Sequence, residues 1–138
     1  MNCELCTGDG GVLIWRHPLL RVVLVDEADY PGFCRVIWNA HVREMTDLSR
    51  SDAALCMAAV FAVEDALRLT LQPTKINLAS LGNMTPHVHW HVIPRFVEDR
   101  HFPRPVWAEP LRPAFASEAV VARLPALRAA LIESLRNI

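Results

Sequence analysis

Three histidines alternate with apolar residues in the segment His87–Arg95, which reads HVHWHVIPR. Side chains along a β-strand point alternately to its two faces, so this spacing predicts a strand with all three imidazoles on one face. Val88, Trp90 and Val92 then enter the core from the other face. Neighbouring imidazoles leave the backbone about 6.6 Å apart, which lets one substrate atom or one metal ion contact two of them. The chain must therefore build a sheet with a core on one side and a histidine-bearing surface on the other.

Apolar runs and turn signals predict the elements that surround this strand. Four more strands are expected at residues 12–15, 20–25, 33–38 and 76–79. The short connections between the early strands predict an antiparallel meander. Apolar residues at helical spacing predict a long helix that is capped at Asp47, Ser49 or Ser51 and stopped by Pro73, and a second helix over residues 125–135. The expected fold class is α+β, with a mainly antiparallel sheet of about five strands, one long central helix and a C-terminal helix.

Length and composition favour one globular domain over residues 1–138. Of the 138 residues, 52% are apolar and 21% are charged, which is ordinary for a folded domain. The 14 basic and 15 acidic residues nearly cancel, which argues against a surface that binds a nucleic-acid polymer. The longest apolar run, Ala53–Val63, has 11 residues, whereas a membrane-spanning helix needs about 20. With no signal-peptide pattern and only four cysteines, the sequence predicts a reduced, cytoplasmic protein with no membrane partner.

The histidine run by itself is compatible with several kinds of strand. It suits a solvent-facing polar strand, or a structural metal site, although three ligands on one straight strand cannot readily surround a zinc ion tetrahedrally. A metal oxidoreductase of the double-stranded β-helix type also uses a His-x-His pair, but the long predicted helix fits that fold badly. The favoured interpretation is acid–base or nucleophilic chemistry on an anion. Imidazole titrates near about pH 6.5, so one ring can be a free base while its neighbour is protonated.

The run matches the pattern His-φ-His-φ-His-φ-φ, where φ is an apolar residue, and so resembles the signature of the histidine triad (HIT) superfamily of nucleotidyl hydrolases and transferases. The resemblance covers about residues 3–107 and leaves a C-terminal extension, residues 108–138, outside it. It implies a HIT-like fold and a function close to that of the bacterial diadenosine polyphosphate hydrolases. The other matching features are Leu24-Val25-Asp26, Pro31-Gly32, a strand ending near His41, Leu48 before a long helix, and the strand of Asn77 that leads into the triad.

The resemblance implies a reaction as well as a fold. The reaction is cleavage at the α-phosphate of a dinucleoside polyphosphate or another adenosine 5′-phosphoryl compound. His89 holds the position of the histidine that attacks the phosphorus and forms a covalent nucleotidyl-histidine. His91 would contact the phosphate or the leaving group, and His87 would orient its neighbours or bind a metal ion. No organic cofactor is implied. The alternative, a non-enzymatic nucleotide- or zinc-binding protein that keeps the fold, is less favoured because the triad is intact.

Five further residues match positions that contact the nucleotide in related proteins. They are Asp26 for the ribose hydroxyls, Asn77 and Asn83 for the phosphates, Arg95 for additional phosphates, and Trp107 for covering a base. Trp107 lies in a segment, Phe102–Pro113, whose four prolines predict an extended stretch over the surface. Three of them also have an ordinary structural alternative: Asp26 as a turn residue, Arg95 as a surface arginine and Trp107 as a packing anchor.

Cys3 and Cys6 have the spacing of a metal-binding pair, which is weak evidence on its own. Many bacterial HIT proteins, and the related galactose-1-phosphate uridylyltransferases, bind zinc through such a pair and two histidines. The matching histidines here are His41 and His87, so the resemblance implies one structural zinc in a Cys2His2 set. The alternative is a reduced cysteine pair on a mobile N-terminus. HIT relatives are usually homodimers whose sheets join edge to edge, so a homodimer is expected as well.

Overall fold

The computed structural model describes residues 2–138 and contains an antiparallel sheet of five strands. The strand order is β1-β2-β3-β5-β4, and every neighbouring pair is antiparallel. The first three strands form the predicted meander, and the α+β class is confirmed. The strands are β1 (Val12–Arg16), β2 (Leu20–Leu24), β3 (Cys34–Trp38), β4 (Lys75–Ala79) and β5 (His89–Arg95).

The long predicted helix is the clearest element of the fold. It begins after Ser49, whose hydroxyl accepts a hydrogen bond from the backbone N–H of Asp52 at 3.1 Å, as an N-cap does. It ends at Gln72, which adopts a left-handed conformation (φ 49°) immediately before Pro73. The helices within residues 2–138 are α1 (Glu4–Thr7), α2 (Arg50–Leu71), α3 (Glu118–Ala122) and α4 (Leu124–Leu135), with a 3-10 turn at Met45–Asp47.

Helices α2 and α4 pack against each other and cover one face of the sheet. The shared core is apolar, and Cys34 and Cys56 are buried in it as small apolar residues. None of the helices in residues 2–138 is long and apolar enough to cross a membrane. The core is formed mainly by Val22, Val36 and Val92 from the sheet, Val60, Val63 and Leu67 from α2, and Leu127 and Leu131 from α4.

The opposite face of the sheet carries the polar residues, and the N-terminal segment covers part of it. Cys3 and Leu5 pack there on Val23 of β2 and Ile37 of β3. The main difference from the sequence prediction also lies on this face. Strand β5 begins at His89, not at His87. The backbone N–H of His87 instead donates to the Thr85 carbonyl in a turn that contains Pro86, so only two of the three imidazoles belong to the strand.

Candidate active site

An open pocket of about 610 Å³ lies on the histidine-bearing face of the sheet. Its volume falls within the range of about 300–1,000 Å³ that is usual for small-molecule sites. The pocket brings together parts of the chain that are distant in sequence. Its walls are formed by Arg35, His89 and His91 of the sheet, Cys3–Leu5 and His41 on one side, the loop 81–86, and Trp107.

His89 is held in one tautomer by a backbone carbonyl. Its Nδ1 lies 2.6 Å from the carbonyl oxygen of His87. A carbonyl oxygen only accepts, so the proton of the neutral ring sits on Nδ1. Nε2 of His89 is then unprotonated, and its lone pair is available as a nucleophile or a base. The side chain is 8% exposed and lines the pocket.

His91 is surrounded by three aromatic rings. Its ring meets the rings of His89, Phe33 and Trp107 edge-to-face, with centroid distances of 5.0, 5.6 and 5.1 Å. Its buried Nδ1 has no hydrogen-bond partner among residues 2–138. A buried polar atom without a partner costs free energy, so this atom is a candidate contact for a bound ligand.

The surroundings of His91 keep it neutral at physiological pH. Burial lowers the pKa of His91 to about 4, and the charges of His89 and Arg35 act in the same direction. The folded pKa lies below the ordinary value of 6.5, so between these two pH values the unfolded chain binds more protons than the folded one. His91 therefore lowers the free energy of unfolding as the pH falls from about 6.5 to about 4.

We expect the ring-proton NMR signal of His91 to titrate with a midpoint near pH 4. In Arg35→Gln the midpoint should move upward, because one nearby positive charge is removed. A wild-type midpoint at or above the ordinary value for histidine would contradict this account of the site.

Four predicted metal ligands meet beside the pocket. The side-chain donors of Cys3, Cys6, His41 and His87 all lie within 4.8 Å of one another. Cys3 Sγ is 3.4 Å from His87 Nδ1, and Cys6 Sγ is 3.4 Å from His41 Nδ1. Tetrahedral ligands at zinc bond lengths are about 3.3–3.8 Å apart. The donor set and its spacing fit a metal site.

His87 connects this cluster to His89. Its Nε2 lies 2.5 Å from the Trp38 carbonyl oxygen, to which it donates, so its Nδ1 is bare and faces the two cysteines. A ligating histidine whose other nitrogen donates to a carbonyl is the usual arrangement at metal sites. The backbone carbonyl of the same residue holds the His89 ring. Nε2 donates to the Trp38 carbonyl, Nδ1 faces the cysteines, and His87 is not among the residues that line the pocket.

The structure brings only part of the predicted nucleotide-binding set to this pocket. Asn83 and Trp107 line it. Asp26 is exposed just beyond the end of β2 and is not among the lining residues. Arg95 is 2% exposed and donates to Asn77 Oδ1 at 2.8 Å. Neither Asn77 nor Arg95 is among the residues that line the pocket.

Arg95 serves instead in a buried network centred on Asp99. It donates to both carboxylate oxygens of Asp99, at 2.7 and 3.0 Å. The same carboxylate accepts from the Tyr30 hydroxyl and from three backbone N–H groups, those of Phe96, His101 and Phe102. No sequence pattern predicts this network, because a lone Asp in a loop does not reveal its partners.

The network supports the segment that presents Trp107. We call residues 100–112 the arm. Leu111 N–H donates to the Arg100 carbonyl at 2.9 Å, and the Arg112 guanidinium donates to the Phe102 carbonyl at 2.8 Å, so the two ends of the arm are joined. Trp107 lies between those ends, 51% exposed and in edge-to-face contact with His91. As the prolines predicted, residues 102–113 contain no helix or strand, but the segment turns back on itself instead of running extended.

Arg35 is the pocket residue that the sequence did not single out. It is the lone cation in an otherwise apolar strand, and this is the sequence feature that could have identified it as a site residue. Its Cα pairs with that of His91 across β3 and β5. That neighbour could not be identified without the sheet order, which places β5 beside β3 and β4 at the edge.

Comparisons with known proteins agree with this geometry. Residues 10–98, more than half of the chain, match the family model described as the HIT domain. A histidine triad protein from Bradyrhizobium japonicum has 28% identity and a TM-score of 0.73 over 92% of each chain. One from Sinorhizobium meliloti has 25% identity and a TM-score of 0.71, covering 91% of this chain and 90% of that one.

A third structure shows that the fold persists at lower identity. A zinc-bound histidine triad family protein from Mycobacterium smegmatis is 22% identical, with a TM-score of 0.66 over 96% of this chain and 95% of that one. No curated protein matches the sequence. The family model, the five-stranded sheet and the paired histidines of β5 lead to one conclusion: the chain belongs to the HIT family, whose members are generally nucleotide hydrolases or transferases.

Proposed function

We propose that the protein is a nucleotide hydrolase or nucleotidyltransferase in which His89 attacks the α-phosphorus of the substrate. The observation that carries the proposal is the 2.6 Å hydrogen bond between His89 Nδ1 and the His87 carbonyl, which leaves Nε2 bare in the pocket. The substrate class is a dinucleoside polyphosphate or another adenosine 5′-phosphoryl compound. A pocket of about 610 Å³ accommodates a nucleotide.

The reaction has two displacement steps. In the first, the Nε2 lone pair forms a P–N bond while the bond from phosphorus to the leaving-group oxygen breaks, and a phosphoanhydride leaving group departs as an anion. In the second, water attacks the phosphorus, the P–N bond breaks, and His89 recovers its free base while the water proton is released. An acceptor other than water would turn hydrolysis into transfer. Splitting one difficult displacement into two easier ones is the benefit of covalent catalysis.

The remaining pocket residues contact different parts of the nucleotide. His91, neutral at pH 7, lies beside His89 and contacts the phosphate or the leaving group. The half-exposed ring of Trp107 covers the base. The side-chain amide of Asn83 donates to the phosphates. Asp26 remains a proposed ribose contact from the resemblance alone.

We also propose that the cluster of Cys3, Cys6, His41 and His87 holds one structural zinc. The zinc-bound relative from Mycobacterium smegmatis and the donor spacing support this. Zinc would supply a fixed tether between the N-terminal segment and the sheet. The chain's own contribution is the orientation of His87, whose carbonyl holds the His89 ring.

The purified protein should contain about one equivalent of zinc per chain by elemental analysis. Cys3→Ser combined with Cys6→Ser should lose the metal and lower the melting temperature, because metal binding contributes to folding free energy. Cys56→Ala, which removes a thiol outside the cluster, should retain it. Stoichiometric metal in the double cysteine variant would refute this site.

The experiment that tests the function is a substrate panel with product analysis. Diadenosine polyphosphates, ADP-linked compounds and adenosine 5′-phosphoryl esters should each release a nucleoside 5′-monophosphate without added divalent metal. Tight nucleotide binding without turnover of any panel member would favour the alternative, a non-enzymatic nucleotide-binding protein.

A homodimer is part of the proposal. The sheet ends at β1 and β4, and each has one side without a partner strand in residues 2–138. Light scattering coupled to size-exclusion chromatography should give twice the chain mass of 15.5 kDa.

A further inference from the structure

We propose that Arg35 is the anion-binding residue of the pocket and holds a phosphate group of the substrate beside His91. This inference rests on the proposed function, since it assumes that the anion is part of a nucleotide. It assigns a specificity role to a residue that the histidine motif does not include.

The guanidinium of Arg35 has few partners within the protein. Its Nη1 donates to the Gly10 carbonyl at 3.0 Å. Its Nε is buried and has no hydrogen-bond partner among residues 2–138, and no described carboxylate lies within ion-pair distance of the guanidinium. Arginine has five N–H donors in a rigid fork, so most of this donor capacity is unused.

Two fully buried arginines on this face, Arg21 and Arg95, each make four hydrogen bonds within the protein. The guanidinium of Arg21 donates to the carbonyls of Asp9, Leu5 and Gly8 and to Asn39 Oδ1. Arg95 makes four hydrogen bonds as well, three of them to the side chains of Asp99 and Asn77. Those two arginines stabilise the fold through these hydrogen bonds, whereas the Arg35 guanidinium makes one hydrogen bond to the described residues.

Arg35 and His91 are neighbours, and each has a buried polar atom without a partner. They are Cα partners on adjacent strands, and both line the pocket. The buried Nε of Arg35 and the buried Nδ1 of His91 are two of three such orphaned side-chain atoms in the described residues. The third, Arg100 Nε, belongs to a residue that pairs with Asp29. The two pocket-lining residues that have an unpaired polar atom are therefore neighbours, which favours a polar ligand bound beside them.

The charge balance of this region favours an anion. Burial lowers the pKa of Arg35, and the charge of Glu4 acts in the opposite direction. The Glu4 carboxylate, however, accepts from the Thr85 hydroxyl at 3.1 Å and forms no ion pair with Arg35. A partly buried cation with no counter-ion is costly, and a phosphate matches the guanidinium fork in charge and geometry.

The test compares ligands that differ only in phosphate content. Binding of adenosine, AMP and ADP is measured by calorimetry in a His89→Ala background, with Arg35 intact or replaced by Gln. Loss of a charge-assisted hydrogen bond should weaken AMP and ADP by about 10- to 100-fold. Adenosine should change less than threefold. Arg35→Lys should restore part of the affinity, because a lysine keeps the charge without the fork.

Arg16→Gln is the matched control, since Arg16 is an exposed arginine paired with Asp9 outside the pocket. It should leave all three affinities unchanged. Equal weakening of adenosine and AMP by Arg35→Gln would overturn the proposal, because Arg35 would then contact the base or ribose. Unchanged AMP affinity would overturn it as well.

A second measurement separates this inference from the proposed function. Inorganic pyrophosphate carries no nucleoside, so its binding to the otherwise wild-type protein does not depend on nucleotidyl transfer. Arg35→Gln should weaken it as it weakens ADP. If pyrophosphate binding depends on Arg35 but the protein turns over no nucleotide, the proposed function is refuted and the anion-binding role of Arg35 stands. If Arg35→Gln turns over nucleotide with no loss of kcat/KM, the role of Arg35 is refuted and the proposed function stands.

Discussion

Replacing His89 with alanine should lower kcat by about 1,000-fold or more, because the variant lacks the nitrogen that forms the P–N bond. Nucleotide affinity should change little, since Arg35, His91 and Trp107 remain in the pocket. The measurement is steady-state turnover of the best substrate from the panel, with binding measured separately. A residual rate within about tenfold of wild type would contradict the assignment of His89 as the nucleophile.

Two controls accompany this variant. His17→Ala changes a histidine whose ring nitrogen accepts from the Leu19 N–H outside the pocket, and it should keep wild-type turnover. The folded state of the His89→Ala protein is checked by its melting temperature and metal content. Both should stay near the wild-type values, because the substitution removes one hydrogen bond that the His89 ring donates, to the His87 carbonyl.

Replacing Asp99 with alanine should lower the free energy of unfolding by about 3–5 kcal/mol at pH 7, as breaking a buried charge pair does. The change leaves the Arg95 guanidinium, 3% exposed in its side chain, without its counter-ion. It also leaves the backbone N–H groups of Phe96, His101 and Phe102 without their acceptor. Urea unfolding followed by far-ultraviolet circular dichroism measures the loss.

The matched control is Asp9→Ala, which breaks an exposed Arg–Asp pair. Asp9 and Arg16 have side chains 50% and 53% exposed, so this loss should stay below about 1 kcal/mol. A loss of similar size in both variants would contradict the role given to the buried network. The arm should respond too, because Asp99 accepts from two of its backbone N–H groups. The part of the tryptophan fluorescence that is lost in Trp107→Phe reports that change.

Acid should weaken the same network. Burial raises the pKa of the Asp99 carboxyl, but hydrogen bonds from Arg95 and from backbone N–H groups lower it, and the net pKa lies below the ordinary value of 3.8. The stabilisation is therefore present above the unfolded pKa and is lost as the pH falls through the folded pKa. In the Asp99→Ala variant this acid-dependent component is absent.

Patterns of short range predicted much of this structure. The period-2 spacing around His89 and His91 predicted a strand with two unlike faces, and the structure confirms this. Helix α2 begins at Arg50, directly after its N-cap Ser49, and ends at Leu71, two residues before Pro73, as local capping chemistry predicts. These features depend on residues within a few positions of one another, so they can be predicted from short stretches of the sequence.

Features that depend on pairing across the sheet were not predictable in this way. The position of His87 before β5 follows from a turn at Pro86 and from hydrogen bonds to Trp38 and the cysteines, which are distant in sequence. Arg95 reads as a phosphate-binding residue next to the motif, yet its four hydrogen bonds belong to a buried network. Arg35 reads as a strand residue, yet the order of β3 and β5 places it beside His91.

A rapid-quench experiment shows whether the nucleotide becomes bonded to His89. The protein is mixed with excess substrate, stopped within milliseconds in alkaline denaturant, in which a P–N bond survives, and analysed by intact mass and peptide fragmentation. Up to one nucleotidyl group per chain is expected, located on His89 in both the wild type and a slower His91→Asn variant. Turnover without any covalent adduct in either protein, or an adduct on another residue, would contradict covalent catalysis by His89.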